Sequence, residues 1–262
     1  MTRVLVTNDD GVDAPALPAL ARACEQLGEV RVVAPDRERS WVGKAITRFD
    51  PVRVEKVERG GVSMYAVSGY PADAVQLGIH ALGPPPDLVV SGINLGYNHG
   101  AGFLMSSGTV GAAVEAWISG IPAVALSTGT IGDWHEWRSV ATAPEAADDW
   151  ERLAELSVDL IRRSEKSGIF QHSDVISINI PFQSTETTER RVTSIARVGY
   201  DRLFTLADDG AYVHAYGGGI NQIDAVDGSD IDAAHDGAIS ITPLRMPEAA
   251  RIPADVRRAI EE

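Results

Sequence analysis

The chain has 262 residues, of which 44% are hydrophobic and 23% charged, with a formal net charge of −14; these are the proportions of an ordinary globular protein, long enough for one large α/β domain or two small ones. The acid excess argues against a nucleic-acid partner, which wants a basic stripe, and no apolar run approaches the roughly 18 residues of a membrane span. The single cysteine, Cys24, forms no internal disulfide, and the first residues lack the basic start and cleavage site of a signal peptide, so a cytoplasmic location is expected.

Residues 4–7 read as a buried strand. Residues 15–27 read as a helix, with Leu17, Leu20, Ala21, Cys24 and Leu27 spaced for one face and Gly28 beyond the end as its C-cap. Residues 30–34 are the next strand, closed by Pro35-Asp36, and the β-rich runs 52–57 and 62–67 flank Glu58-Arg59-Gly60-Gly61 as a hairpin. A helix over 72–82, a strand over 88–91, a helix over 109–119 ended by Gly120 and a strand over 122–127 follow. The stretch 129–149 carries Trp134, His135 and Trp137 with no clear period and is expected to be a loop. A long helix over roughly 146–164 and a strand over 175–180 come next. Beyond Gln183 the segments 190–198 and 211–216 look extended, around the turns Asp208-Asp209-Gly210 and Gly217-Gly218-Gly219. A short helix near 231–235 and a strand at 238–242 complete the pattern. This last part is too sparse to bury its own apolar residues, so it is expected to pack on the core or on another subunit.

Apolar strands without alternation, separated by helices, predict a mostly parallel sheet covered by helices on both faces. In such sheets ligands bind outside the carboxyl ends of the strands. Three polar loops fall at such ends. Asn8-Asp9-Asp10-Gly11 is either a plain turn or a cation site, because paired carboxylates repel unless hard positive charge sits between them. The loop 34–40 ends in Ser40 and runs on to Gly43-Lys44. The third stretch, "SGINLGYNHGAGFLMSSGTVGAAVEAW", is rich in glycine and places Ser106-Ser107-Gly108-Thr109 before a helix, either as an N-cap or as an anion cradle of backbone N–H groups. Asp9, Asp10, Ser40 and Asn94 together offer only hard oxygen donors, which suit Mg²⁺ or Mn²⁺ better than zinc. A cation beside a helix start is a site for a phosphate ester, and it offsets the acidic charge that would otherwise repel such a substrate.

These motifs resemble the SurE (stationary-phase survival protein) family of metal-dependent 5'/3'-nucleotidases. The resemblance runs through Asn8-Asp9-Asp10-Gly11, Val32-Val33-Ala34-Pro35-Asp36 leading to Ser40, Pro71-Ala72-Asp73-Ala74-Val75 and Ser91-Gly92-Ile93-Asn94. It continues through Ser107-Gly108-Thr109-Val110-Gly111-Ala112-Ala113, Asn179-Ile180-Pro181 and Ser240-Ile241-Thr242-Pro243-Leu244. The resemblance implies a single domain over 1–262 with a Rossmann-like core over about 1–183, a C-terminal β-hairpin-rich arm over about 184–245 that exchanges between subunits, and a short tail over 246–262. It implies a homodimer or homotetramer and a cytoplasmic location.

Carried over residue by residue, the resemblance places one divalent cation, Mg²⁺ or Mn²⁺, on Asp9, Asp10, Ser40 and Asn94, and the substrate phosphate at Asn98, Ser107, Gly108 and Thr109. The implied reaction is hydrolysis of a nucleoside 5'- or 3'-monophosphate, with Asp9 or Asp10 also accepting the proton of the attacking water. Arg37, Arg39 and Lys44 either steady phosphate or base or are solvated loop charges, and His99 is a further candidate. The chain departs from the family at residues 101–106, which lack the usual acidic residue and tyrosine, and at Trp41 and Lys44, where small or polar residues are more common. Phe103, in what is read as a glycine-bounded loop, either plugs the core or packs on the substrate's base or sugar. Rival readings are an aspartyl-phosphate enzyme, a phosphatase of a non-nucleotide monoester, and a nucleotide-sensing module that binds metal and ligand without turnover.

Overall fold

The structure is a computed structural model and describes residues 2–200, 202–216, 220–222, 227–247 and 249–262. Val4, Leu5 and Val6 are buried on both faces of strand β1 (Arg3–Thr7), which accounts for an apolar run with no alternation. Helix α1 (Ala16–Cys24) follows, then β2 (Glu29–Pro35), the antiparallel pair β3 (Val54–Arg59) and β4 (Val62–Val67), and α2 (Pro71–His80). Next come β5 (Leu88–Leu95), α3 (Gly100–Ser106), α4 (Gly108–Ile118) and β6 (Ala123–Gly129). Helices α5 (Trp134–Ala141) and α6 (Ala147–Ser167) lead to β7 (Val175–Pro181). The remainder holds β8 (Arg190–Val192), β9 (Val198–Tyr200), β10 (Phe204–Leu206), β11 (Tyr212–His214), β12 (Ile220–Gln222), α7 (Asp230–His235), β13 (Ile239–Leu244) and α8 (Ala254–Glu261).

The main sheet has nine strands in the order β3-β4-β2-β1-β5-β6-β7-β13-β8. The run from β4 to β7 is parallel, as the sequence predicts, with β3 and β13 antiparallel to their inner neighbours. Two apolar layers cover it, one gathering α1 and α6 with Leu17, Leu20, Leu153 and Ile161, the other α2 and α4 with Val75, Ile79, Val110 and Ala113. The strand order reverses between β1 and β5, so the crevice of an open α/β sheet opens above those two carboxyl ends. Cys24 is fully buried in the α1 layer.

Three expectations are corrected. The stretch 129–149 is not a loop. Asp133 accepts a hydrogen bond from Glu136 N at 2.8 Å and starts α5, Trp137 and Ala141 are the buried face, and a 3-10 turn at Pro144–Ala146 joins it to α6. Trp137 and Trp150 both pack edge-on against Phe182, which is what anchors so short a helix. Residues 101–106 are likewise helical, within α3, because Leu104 has a buried apolar layer to enter and Ser106 Oγ closes back on Gly102 O at 3.1 Å. Finally, α1 ends at Cys24 and Gly28 is not its cap; a Cβ on Gly28 would stand 1.9 Å from Thr2 O, so the glycine is there to let two backbones meet. The triple glycine 217–219 lies outside the described residues.

Past residue 183, β8 and β13 extend the main sheet, while β10–β11 and β9–β12 form two separate two-stranded pairs. Among the described residues only Ala196, Val198 and Ile231 form a small apolar cluster there, and Phe204, Leu206, Tyr212 and Val213 are exposed.

Candidate active site

At the end of β1 the chain turns through Asn8, whose side chain donates to Gly11 O at 3.0 Å and accepts from Gly11 N at 3.1 Å. Gly11 sits at φ +91°, and a Cβ there would come within 2.7 Å of the Arg37 backbone. Glycine therefore permits both the turn and the close passage of the 34–40 loop. Arg39 N donates to Asp9 O at 2.7 Å and Val12 N to Pro35 O at 2.9 Å, locking the two loops together. The same turn sets Asp9 and Asp10 at the mouth of the crevice, Asp9 buried and Asp10 half-buried.

Asp9 faces the start of α4. Thr109 Oγ1 donates to Asp9 Oδ1 at 2.5 Å, and a Cβ on Gly108 would meet Asp9 Cβ at 2.7 Å, so no residue larger than glycine fits between helix start and carboxylate. Ser107 is the N-cap, accepting from Val110 N at 3.1 Å. Asp10 points toward β5, where Leu95 N donates to its Oδ2 at 3.1 Å. A register shift in β5 between Ser91 and Asn94 brings Asn94 to the crevice, with its Nδ2 turned back to Gly96 O at 2.7 Å. Asn98 is buried, donating from Nδ2 to Ser127 Oγ at 2.7 Å and from its backbone N to Asn179 Oδ1 at 2.8 Å.

Backbone N–H groups of Asp9 and Thr109 add to the Thr109 hydroxyl on the Asp9 carboxylate, whereas Asp10 Oδ1 and Asn94 Oδ1 accept no hydrogen bond among the described residues, and no Lys or Arg forms an ion pair with either carboxylate. Burial raises the Asp9 carboxyl to about 6 against the opposing bond from Thr109, and desolvation together with the Asp9 charge holds Asp10 well above the ordinary carboxylate range. Two such carboxylates, short of cationic partners and flanked by a free amide oxygen, are a donor set for a hard divalent ion. No three Asp, Glu, His or Cys side chains gather among the described residues, so a third carboxylate does not complete the set.

The remaining sequence-predicted residues divide. Ser40 is exposed beside the crevice and donates to Glu38 Oε1 at 2.7 Å. Lys44 is turned away from the carboxylates and forms an ion pair with the buried Glu115 of α4. Arg39 donates to Ser68 O at 2.7 Å and reaches Asp36 at 3.5 Å, while Arg37 is exposed. His99 is buried with its Nδ1 unpartnered, and burial lowers its pKa to about 4, so the imidazole is neutral at pH 7. Phe103 is half-buried within α3, surrounded by the rings of Trp41, His99, Tyr200 and Tyr216.

Sequence reasoning misses two contributors. Arg138 of α5 pairs with Glu38 at 3.0 Å, extending a chain of contacts from Ser40 to a helix that was expected to be a loop; the Asp133…Glu136 spacing is the capping signal that would have found it. Asp230 is buried and accepts from Gly100 N at 2.7 Å and Ala196 N at 3.0 Å, tying the C-terminal segment to the loop after Asn98. No local pattern announces that role.

The fold is an open α/β sheet whose crevice sets a carboxylate pair against a helix start, an arrangement whose chemistry suits a hard cation beside an anion. The chain belongs to the Survival protein SurE family, whose model matches residues 4–202. It is similar to a 5'-nucleotidase SurE of Methanocella arvoryzae, 37% identical over 95% of this chain and 93% of that one. A 5'-nucleotidase SurE of Halobacterium salinarum is 38% identical over 94% and 92%. The crystal structure of the SurE protein from Aquifex aeolicus matches with a TM-score of 0.75 and 29% identity, covering 99% of this chain and all of that one.

Proposed function

We propose that this chain is a divalent-metal-dependent phosphomonoesterase that hydrolyses nucleoside 5'- or 3'-monophosphates to nucleoside and phosphate. Its SurE relatives carry the name 5'-nucleotidase. The observation that carries the reading is the apposition of Asp9 to the Ser107-Gly108-Thr109 helix start, which sets a carboxylate pair and an anion cradle edge to edge.

In this reading Asp9, Asp10, Ser40 and Asn94 hold one Mg²⁺ or Mn²⁺ ion. Such an ion supplies charge to the phosphoryl oxygens and eases deprotonation of water. The phosphate lies on the Ser107-Gly108-Thr109 helix start, taking backbone N–H groups and the Ser107 hydroxyl with Asn98 alongside, while Thr109 keeps its own hydroxyl on Asp9. Asp9 or Asp10 accepts the proton of the attacking water, in line with the departing nucleoside oxygen. The neutral His99 makes no credible general acid at pH 7. Lys44 acts on substrate only by leaving Glu115, and Phe103 contributes to the base side through its ring cluster. The working unit is a cytoplasmic homodimer or homotetramer built through the segment after residue 183.

Phosphate release from nucleoside monophosphates, assayed with and without Mn²⁺, tests this. Metal-dependent release that is lost in Asp9→Asn and Asp10→Asn is the expected result. Nucleotide binding without release would favour a sensing module, and a trapped acyl phosphate would favour an aspartyl-phosphate enzyme.

A further inference from the structure

Trp41 is, among the described residues, the one non-glycine position held in left-handed backbone, at φ +60°. A bulky ring there carries strain that glycine would not, and such strain persists where the surroundings enforce it. The enforcement is visible. Gly43 N donates to Ser106 O at 2.8 Å, and a Cβ on Gly111 would stand 2.3 Å from Gly43 O, so the 40–44 loop is pressed against the start of α4.

The consequence is the position of the indole. Its centroid lies 5.9 Å from Phe103, 5.2 Å from Tyr200, 5.0 Å from His214 and 5.7 Å from Tyr216. Three separate segments thus meet on one ring, directly after Ser40 and against the helix that leads into Ser107. Phe103 is half-buried among these rings, less exposed than Trp41. Trp41 is 38% exposed.

We infer that Trp41 is the base-recognition element of the site: its indole stacks on the base of a purine nucleoside monophosphate whose phosphate occupies the Ser107-Gly108-Thr109 cradle. This rests on the phosphomonoesterase reading and specifies its substrate class. A purine presents the largest π-face among the bases, and so the most area for an indole to cover. In this assignment Phe103, Tyr200, His214 and Tyr216 fix the position of the indole, and its exposed part meets the base.

Trp41→Gly separates recognition from packing through two substrates: glycine suits φ +60° and offsets part of the lost ring contacts, so the variant should fold with a modestly lowered Tm, and only the nucleotide should suffer in KM. The reading is the ratio of kcat/KM for adenosine 5'-monophosphate to that for phenyl phosphate, with Mn²⁺. We expect this ratio to fall about tenfold or more through KM in Trp41→Gly, with most of it recovered in Trp41→Phe. Adenosine binding to the Mn²⁺-treated protein, followed by calorimetry, should weaken by a similar factor. An unchanged ratio and unchanged adenosine affinity would overturn the assignment, as would equal losses on both esters, which mark a packing role. A wild-type protein that releases phosphate from neither ester overturns the phosphomonoesterase reading instead, and adenosine affinity then decides Trp41 by itself.

Discussion

Replacing Gly108 by alanine puts the apposition of carboxylate and helix start to a quantitative test. The added Cβ would lie 2.7 Å from Asp9 Cβ and 2.9 Å from Asp9 Oδ2. Non-bonded carbons rest at about 3.5–4.0 Å, so roughly 1 Å must be yielded by one side. Asp9 is 3% exposed, its Oδ1 is engaged by Thr109 and its carbonyl by Arg39 N, while Ser107 and Thr109 are themselves buried. Overpacking of this kind costs about 1–3 kcal/mol, which for a chain of this length lowers Tm by about 2–4 °C per kcal/mol. A displacement of about 1 Å at a reacting centre costs on the order of 100-fold in rate. Activity should therefore fall far more steeply than stability. Melting curves and Mn²⁺-dependent phosphate release on the same preparation compare the two. A Gly108→Ala protein that hydrolyses nucleotide at the wild-type rate would refute the idea that Asp9 and the helix start share one reacting centre.

Metal binding should depend on pH with a defined sign. Because the Asp9 carboxyl sits raised at about 6 and Asp10 higher than ordinary, both take up protons as pH falls, and protonated carboxylates do not ligate. The rise in Tm on adding Mn²⁺ should be larger at pH 7.5 than at pH 5; equal increments in scanning calorimetry would count against the carboxylate pair as ligands. Lys44→Met leaves Glu115 buried without its cation, at a cost of about 1–3 kcal/mol given that Lys44 is partly exposed. The double variant Lys44→Met/Glu115→Met should recover most of that loss in urea denaturation, and failure to recover would place the role of Lys44 elsewhere. Asp133→Ala removes the N-cap of α5 and should cost about 1 kcal/mol, read as faster amide exchange across 134–141. Unchanged exchange there would show that Trp137 alone holds the helix.

The parallel sheet is legible in the sequence because burial on both faces writes a simple signature, as in Val4-Leu5-Val6 and Ala123 to Leu126. The meeting of Asp9 with Thr109 is legible for a related reason, since strand-end loops of such a sheet converge on one crevice. What escapes is set by long-range contact. Helix α5 is polar by composition, and its stability comes from Trp137 reaching Phe182 more than 40 residues away. Helix α3 reads as a loop because Gly100 and Gly102 flank Ala101, yet Leu104 enters an apolar layer built by other segments. The turning of Lys44 to Glu115, the orientation of Trp41 and the three N–H groups gathered by Asp230 depend on partners that no local spacing encodes.

Across the top of the sheet, Asn94, Ser127, Asn179 and Ser240 stand in register on four successive strands, and Asn98 hangs from the middle two by its backbone and its side chain. Asn179 Nδ2 in turn reaches Ser240 Oγ at 3.3 Å. The loop after Asn94 therefore takes its height and tilt from a polar rung that ends on β13, a strand supplied from far along the chain. Residues in such a rung should drift in company. A change at Ser240 alters what Asn179 can offer, and Asn179 sets where Asn98 stands, so single replacements along the row should combine non-additively in double-mutant cycles.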